Sequence, residues 1–317
     1  MKGVILDADS LGDADLSPIT SLLDHWAVYS NTSEMDIDKR VEAADVVLTN
    51  KINLSAKTIK NAKNLSYISI LATGTNNVDL IAARDKAIAV SNSQGYSTAS
   101  VVQHTLSLIL NLVTQMPRYL SDVKTGLWQQ SNVFTRLNHP ISELDGKVLG
   151  IIGYGELGSN VARIAEAFGM RVLIAKRDAT VFDTSRCSFE DLLPQVDVLS
   201  LHCPLTDANE HMINQDSLKL MKPTAFVINT ARGKLVNSLD LISALEQGII
   251  AGAGIDVLDS EPPQQDEVLT SAAARLDNLF VTPHNAWGAR ESRIRLIQQT
   301  RGNILGYISG NMIRVVN

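Results

Sequence analysis

Short runs of β-forming residues alternate with helix-patterned stretches along the whole of this 317-residue chain. That rhythm constrains the fold more than any other feature. Strands linked through helices return to the same end of a sheet and so lie parallel. In the first third the runs are Gly3–Leu6, Ala27–Tyr29, Val46–Leu48, Tyr67–Leu71 and Ile88–Val90. Apolar spacing between them predicts helices near residues 18–25, 36–44, 54–63 and 78–86. The second half repeats the pattern with Lys147–Ile152, Val172–Ile174, Val196–Leu201, Ala225–Ile228, Gly254–Val257 and Leu279–Val281. A helix over about 97–115 separates the two sets. Val101, Leu108, Ile109 and Leu112 help make it apolar nearly all round, so it must be covered on more than one side. Pro117 is expected to stop it. Residues 121–145 read as an irregular arm, and a last amphipathic helix spans about 290–308. The chain is therefore predicted to be α/β, and its length favours two domains over one core.

Composition removes several function classes. Lys plus Arg number 28 against 34 Asp plus Glu, with no basic block. This is a poor basis for tracking a phosphate backbone or an anionic membrane, so neither nucleic acid nor membrane is an expected partner. No apolar run is long enough to span a bilayer. The N-terminus turns acidic at Asp7 and has no signal-peptide pattern. Cys187 and Cys203 read as reduced thiols of a cytoplasmic protein.

Gly153-Tyr154-Gly155-Glu156-Leu157-Gly158 matches G-x-G-x-x-G. Alone the pattern could be a tight strand-to-helix turn without a ligand. Here an apolar strand precedes it, and Leu157, Val161, Ile164, Ala165 and Phe168 follow at helical spacing. The unit from Lys147 to Lys176 has the length of a βαβ crossover. In that setting the glycines let backbone N–H groups approach a pyrophosphate at a helix N-terminus. At the end of the next strand, where an acid would grip the adenosine ribose, the chain reads Ala175-Lys176-Arg177-Asp178. Cations at Lys176 and Arg177 would attract a 2′-phosphate, which predicts NAD(P) binding with NADP(H) preferred. The alternative is that both are solvated charges and Asp178 takes the ribose. Glu156 complements the helix dipole but would repel a pyrophosphate, so its side chain is expected to point outward.

Ligands of open α/β sheets lie beyond the carboxyl ends of the strands. Four such ends carry polar or ionisable groups: His202-Cys203-Pro204, Asn229-Thr230-Ala231-Arg232-Gly233, Asp256 with Glu261-Pro262-Pro263, and Thr282-Pro283-His284. Taken singly, each has a bland reading as surface or loop chemistry. An Arg, a Glu and a His on the sheet edge that bears a dinucleotide fingerprint make an anion clamp, a carboxylate partner and a proton donor.

These residues, with Ala72-Thr73-Gly74-Thr75-Asn76-Asn77-Val78-Asp79 and Gly95-Tyr96-Ser97-Thr98, resemble the D-isomer-specific 2-hydroxyacid dehydrogenase family over nearly the whole chain. Thr49-Asn50-Lys51, Gln103-His104 and Ala286-Trp287 are most similar to its glycerate dehydrogenase or hydroxypyruvate reductase branch. The resemblance implies a flavodoxin-like substrate domain, residues 1–98 plus 289–317, a Rossmann cofactor domain, residues 99–288, and a cleft between them. It also implies a homodimer to which the 121–145 arm contributes. The implied reaction moves a hydride between a nicotinamide and a small 2-oxo or 2-hydroxy acid. In it His284 would be the general acid, Glu261 would hold His284 and favour its imidazolium, and Arg232 would hold the substrate carboxylate or C2 carbonyl. Thr73, Gly74 and Thr75 would add backbone donors to the substrate. Asp256 would orient the carboxamide, and Cys203, Pro204, Thr206, Thr230 and Ala231 would neighbour the cofactor. Rival readings are another 2-oxo acid reductase of the family, a phosphite or formate oxidoreductase, and a non-catalytic NAD(P)-sensing interaction protein. No metal is expected, because the six histidines have no ligand spacing.

Overall fold

The alternating pattern builds two parallel sheets. The computed structural model describes residues 1–176 and 185–317. Their contacts divide the chain into one unit of Met1–Ser97 with Gly288–Asn317, and a second of Thr98–Trp287.

In the first unit β1 (Lys2–Ile5), β2 (His25–Val28), β3 (Val46–Thr49), β4 (Tyr67–Ile70) and β5 (Ala89–Ser91) run in the order β2-β1-β3-β4-β5. All pairs are parallel. β3 and β4 are buried along their whole length, as strands covered on both faces must be. The strand order reverses between β1 and β3, which opens a crevice at their carboxyl ends. Asp7, just past β1 and only 3% exposed, accepts backbone N–H bonds there from Asn50 (2.9 Å), Lys51 (2.6 Å) and Ile52 (3.3 Å). Burial pushes its carboxyl pKa up, against the lowering effect of those three donors. The helix expected over 18–25 is confined to Ser17–Thr20, because β2 already starts at His25.

In the second unit β6 (Val148–Ile152), β7 (Arg171–Ile174), β8 (Val198–Leu201), β9 (Phe226–Asn229), β10 (Gly252–Ile255) and β11 (Leu279–Val281) run β11-β10-β9-β8-β6-β7. Every pair is again parallel. Successive side chains take opposite faces. Val148 and Ile152 join Val227 in one core, while Leu149 and Ile151 join Phe226 and Ile228 in the other. Each such side chain contributes roughly 1.5–3 kcal/mol on burial, so a one-residue slip of register would be costly. The order reverses between β6 and β8, and that switch point lies at the glycine turn.

Helix Thr98–Thr114 packs on β9, β10 and helix Glu156–Ala167, which covers its apolar girth. It ends at Thr114, three residues before Pro117, and Gln115, the next residue, has a left-handed φ of 55°. Pro117 instead sits in the first turn of a second helix, Met116–Lys124, where its missing N–H costs nothing. The arm is therefore helical at its start. The last helix is Arg290–Ile308. Among the described residues no helix is long and apolar enough to cross a membrane.

Candidate active site

The glycine turn follows β6 directly. Gly153 has a φ of +96°, and a Cβ there would lie 2.5 Å from Cys203 N, so the turn is pressed onto the end of β8. At Gly158 a Cβ would lie 2.1 Å from Gly153 O, which holds the first turn of helix Glu156–Ala167 hard against the strand. Gly155, the residue that caps this helix, faces open space. Two glycines thus serve packing and the third leaves room at an N-terminus whose first N–H groups lack intrahelical acceptors. A pyrophosphate fits that room. Gly155→Ala is expected to fold and melt like the wild type yet raise the nucleotide Kd at least about tenfold, because the new methyl occupies the approach to the phosphates. Calorimetric titration with NADPH or NADH checks this. Glu156 is exposed, and its Oε1 accepts from Thr98 Oγ1 at 2.6 Å, so the carboxylate is turned toward the start of helix Thr98–Thr114.

Lys176 is half-buried just beyond β7, where its backbone N–H donates to Cys187 O at 2.8 Å. Arg177 and Asp178 lie outside the described residues. Cys203, Pro204 and Thr206 form the loop after β8. Asn209 ties it together through Thr206 N (2.7 Å) and Pro204 O (2.9 Å). Burial raises the Cys203 thiol pKa and keeps it neutral. His202 is lowered to about 4 by burial, so its ring is uncharged at neutral pH, with Nε2 at 2.9 Å from Ser200 Oγ.

β9, β10 and β11 are contiguous, so their carboxyl ends present Arg232, Asp256 with Glu261, and His284 along one edge of one sheet. Asn229, fully buried at the end of β9, accepts from Ala231 N (3.0 Å) and donates to Arg232 O (2.8 Å), which fixes the turn carrying Arg232. One arm of the Arg232 fork donates to Ala231 O at 2.6 Å. A Cβ at Gly233 would lie 2.1 Å from Leu258 C, so only glycine lets this turn approach the Leu258–Glu261 loop so closely. Thr230 and Ala231 are buried beside it.

Glu261 bridges two partners. Its Oε1 accepts from Leu258 N at 2.8 Å, and Oε2 meets His284 Nδ1 at 2.5 Å. Both side chains remain about 30% exposed, at 29% and 28%. With Nδ1 engaged, Nε2 is the ring nitrogen left to face a substrate. A cavity of about 390 Å³ lies against this pair, lined also by Asp256, Thr282 and Pro262. His284 has a φ of 50°, a left-handed conformation that costs on the order of 1 kcal/mol or more and persists only where its surroundings impose it. Asp256, 1% exposed, supplies that restraint. Oδ1 accepts from Thr282 Oγ1 (2.6 Å) and Asn285 N (3.1 Å), and Oδ2 accepts from Ala286 N (3.0 Å). The residue read from sequence as a carboxamide partner thus holds the segment on both sides of His284.

Residues 106–286 match the family model described as D-isomer specific 2-hydroxyacid dehydrogenase, NAD binding domain. The chain belongs to the D-isomer-specific 2-hydroxyacid dehydrogenase family. Similar members include the glycerate dehydrogenase of Methylorubrum extorquens, 37% identical over 99% of this chain and 98% of that protein. The hydroxypyruvate reductase of Blautia hydrogenotrophica is 36% identical over the full length of both. Among solved structures, D-lactate dehydrogenase from Aquifex aeolicus, complexed with NAD and lactic acid, superposes with a TM-score of 0.83 at 27% identity. That match covers 98% of this chain and 96% of the other. In the present chain the glycine fingerprint and Arg232, Glu261 and His284 all lie in the unit Thr98–Trp287. Thr73, Gly74 and Thr75 follow β4 in the other unit, where Thr73 O accepts from Asn92 Nδ2 at 2.8 Å.

Proposed function

We propose that the protein interconverts a small 2-oxo acid and its D-2-hydroxy acid, with hydroxypyruvate and D-glycerate as the favoured pair and glyoxylate as a second substrate, and that it prefers NADP(H). The observation that carries the reading is the His284–Glu261 pair with Arg232 on contiguous strand ends of the sheet whose β6 turn bears the three glycines. The substrate pair rests on the names of the full-length relatives. The nucleotide preference rests on Lys176, and on Arg177 beside it in sequence, where an acid would repel a 2′-phosphate.

Backbone N–H groups of Gly155, Glu156, Leu157 and Gly158 would hold the pyrophosphate, next to Gly153. Cys203, Pro204, Thr206, Thr230, Ala231, Asp256 and His284 would line the rest of the nucleotide path. When bound, the nicotinamide supplies or accepts the hydride at C2. His284 Nε2 gives a proton to the C2 oxygen during reduction and takes it back during oxidation. Glu261 fixes the ring through Nδ1 and so leaves Nε2 for the substrate. Arg232 clamps the carboxylate, with the backbone of Thr73, Gly74 and Thr75 as further donors to it.

The assembly is proposed to be a homodimer. Val133, Phe134 and Leu137 on the arm are 64%, 90% and 74% exposed, an apolar surface that a second copy would cover. Two free thiols fit a reducing cytoplasm.

The test is a panel of 2-oxo acids with both reduced nucleotides. Hydroxypyruvate with NADPH is expected to give the highest kcat/KM, glyoxylate a lower one, and NADH at least about tenfold less than NADPH, the worth of one charge-assisted contact. A clear NADH preference would refute the cofactor reading, and turnover of neither acid would refute the substrate reading.

A further inference from the structure

Helix Thr98–Thr114 does more than fill the space above β9 and β10. Two of its polar residues, Ser100 and His104, stand four apart and so share one face. Ser100 Oγ donates to Ala286 O at 2.6 Å. His104 Nε2 lies 3.0 Å from Thr282 Oγ1. They grip the chain two residues before and two residues after His284.

Proton counting fixes the direction of the second contact. A threonine hydroxyl has one proton. Thr282 gives it to Asp256 Oδ1 at 2.6 Å. The bond between His104 and Thr282 must then use a proton on His104 Nε2. His104 Nε2 also lies 3.5 Å from Asp256 Oδ1. The relay therefore runs from the helix through a hydroxyl to a buried carboxylate, and from that carboxylate to the N–H groups of Asn285 and Ala286.

We infer that His104 is a positioning residue. Acting through Thr282 and Asp256, it holds the His284 segment in its left-handed conformation and so sets where Nε2 of His284 points. The inference rests on the proposed role of His284 as acid and base. It assigns His104 no contact with substrate or nucleotide. An imidazole Nε2–H can be replaced by the side-chain amide of glutamine, which carries N–H donors at similar reach, but not by leucine.

The test compares His104→Leu, His104→Gln and Thr282→Val with wild type and with His284→Ala. His104→Leu is expected to lower kcat about 10–100-fold, the cost of a misplaced reacting group, with KM and nucleotide Kd within about threefold. His104→Gln should recover most of the loss. Thr282→Val should reproduce the His104→Leu loss, and the double variant should lose little more than either single one, because both cut the same relay. Imidazole nitrogen NMR of the nucleotide-free protein should show the His284 resonances displaced or broadened in His104→Leu and near their wild-type positions in His104→Gln.

Wild-type turnover and unmoved His284 resonances in His104→Leu would overturn the inference. So would multiplicative losses in the double variant, or equal losses in the Gln and Leu variants. If His104→Leu fails to fold, the Thr282→Val and His104→Gln results decide by the same criteria. Unimpaired turnover in His284→Ala would instead refute the proposed function, which keeps the two failures apart.

Discussion

His284→Ala is expected to turn over about 10²–10⁴-fold more slowly, the usual worth of a placed proton donor, with a much smaller change in nucleotide binding. Three observations support so large an effect. Glu261 occupies Nδ1, which leaves Nε2 as the working nitrogen. The left-handed backbone at residue 284 is held by Asp256 on both sides, so the ring is pre-aimed rather than free to search. Both side chains stay partly open, at 28% and 29% exposure, as a group that meets a substrate must. The variant should fold normally, since alanine removes no buried apolar area and Asp256 keeps its three donors. Steady-state kinetics with hydroxypyruvate, paired with nucleotide titration, is the check. A kcat within about threefold of wild type would remove His284 from the mechanism.

Arg232 should produce the second large effect, with a different kinetic signature. A guanidinium presents two parallel N–H donors to a carboxylate, whereas an ammonium offers a point charge. Arg232→Lys should therefore lower kcat/KM about 10–100-fold, the loss of one charge-assisted hydrogen bond at roughly 1.5–3 kcal/mol. Arg232→Ala removes both bonds and the charge, and should lower it about 10²–10⁴-fold. Much of the loss should fall on KM, because a carboxylate is held in the ground state as well as in the transition state. The fold should survive, because Asn229 holds the turn through the backbone of residues 231 and 232. If Arg232→Lys keeps wild-type kcat/KM, the anion clamp lies elsewhere.

Much of this was legible in the sequence because it is local. Strand runs, the glycine turn and the polar residues just past each strand are short-range signals, and parallel topology carries all the strand ends to one edge. The Arg, Glu and His that follow β9, β10 and β11 needed only that rule. Boundaries were harder where one residue type has two readings. Pro117 stops a helix from the inside and also starts one, and Gln115 in a left-handed turn decided between them. Least legible were the contacts that hold the site in place. Ser100 is in sequence only a polar interruption of an apolar helix, and His104 only part of a family motif with no assigned role, yet their partners stand 186 and 178 residues away. The three backbone N–H bonds to Asp7 are equally non-local. Asp256 carries a cofactor expectation from the family resemblance, and only its burial and its three bonds to the 282–286 segment reveal the clamp.

Central to this account is that an imidazole and a guanidinium act together on one 2-oxo acid. A crystal structure of the ternary complex with reduced nucleotide and oxamate, an unreactive analogue of such an acid, tests it most directly. His284 Nε2 is expected at about 2.6–3.2 Å from the oxamate carbonyl oxygen and the Arg232 fork at similar distance from its carboxylate or carbonyl oxygens, with Glu261 still on Nδ1. Oxamate bound over the nicotinamide with either side chain turned away, or seated on the edge of the sheet opposite the glycine turn, would contradict it.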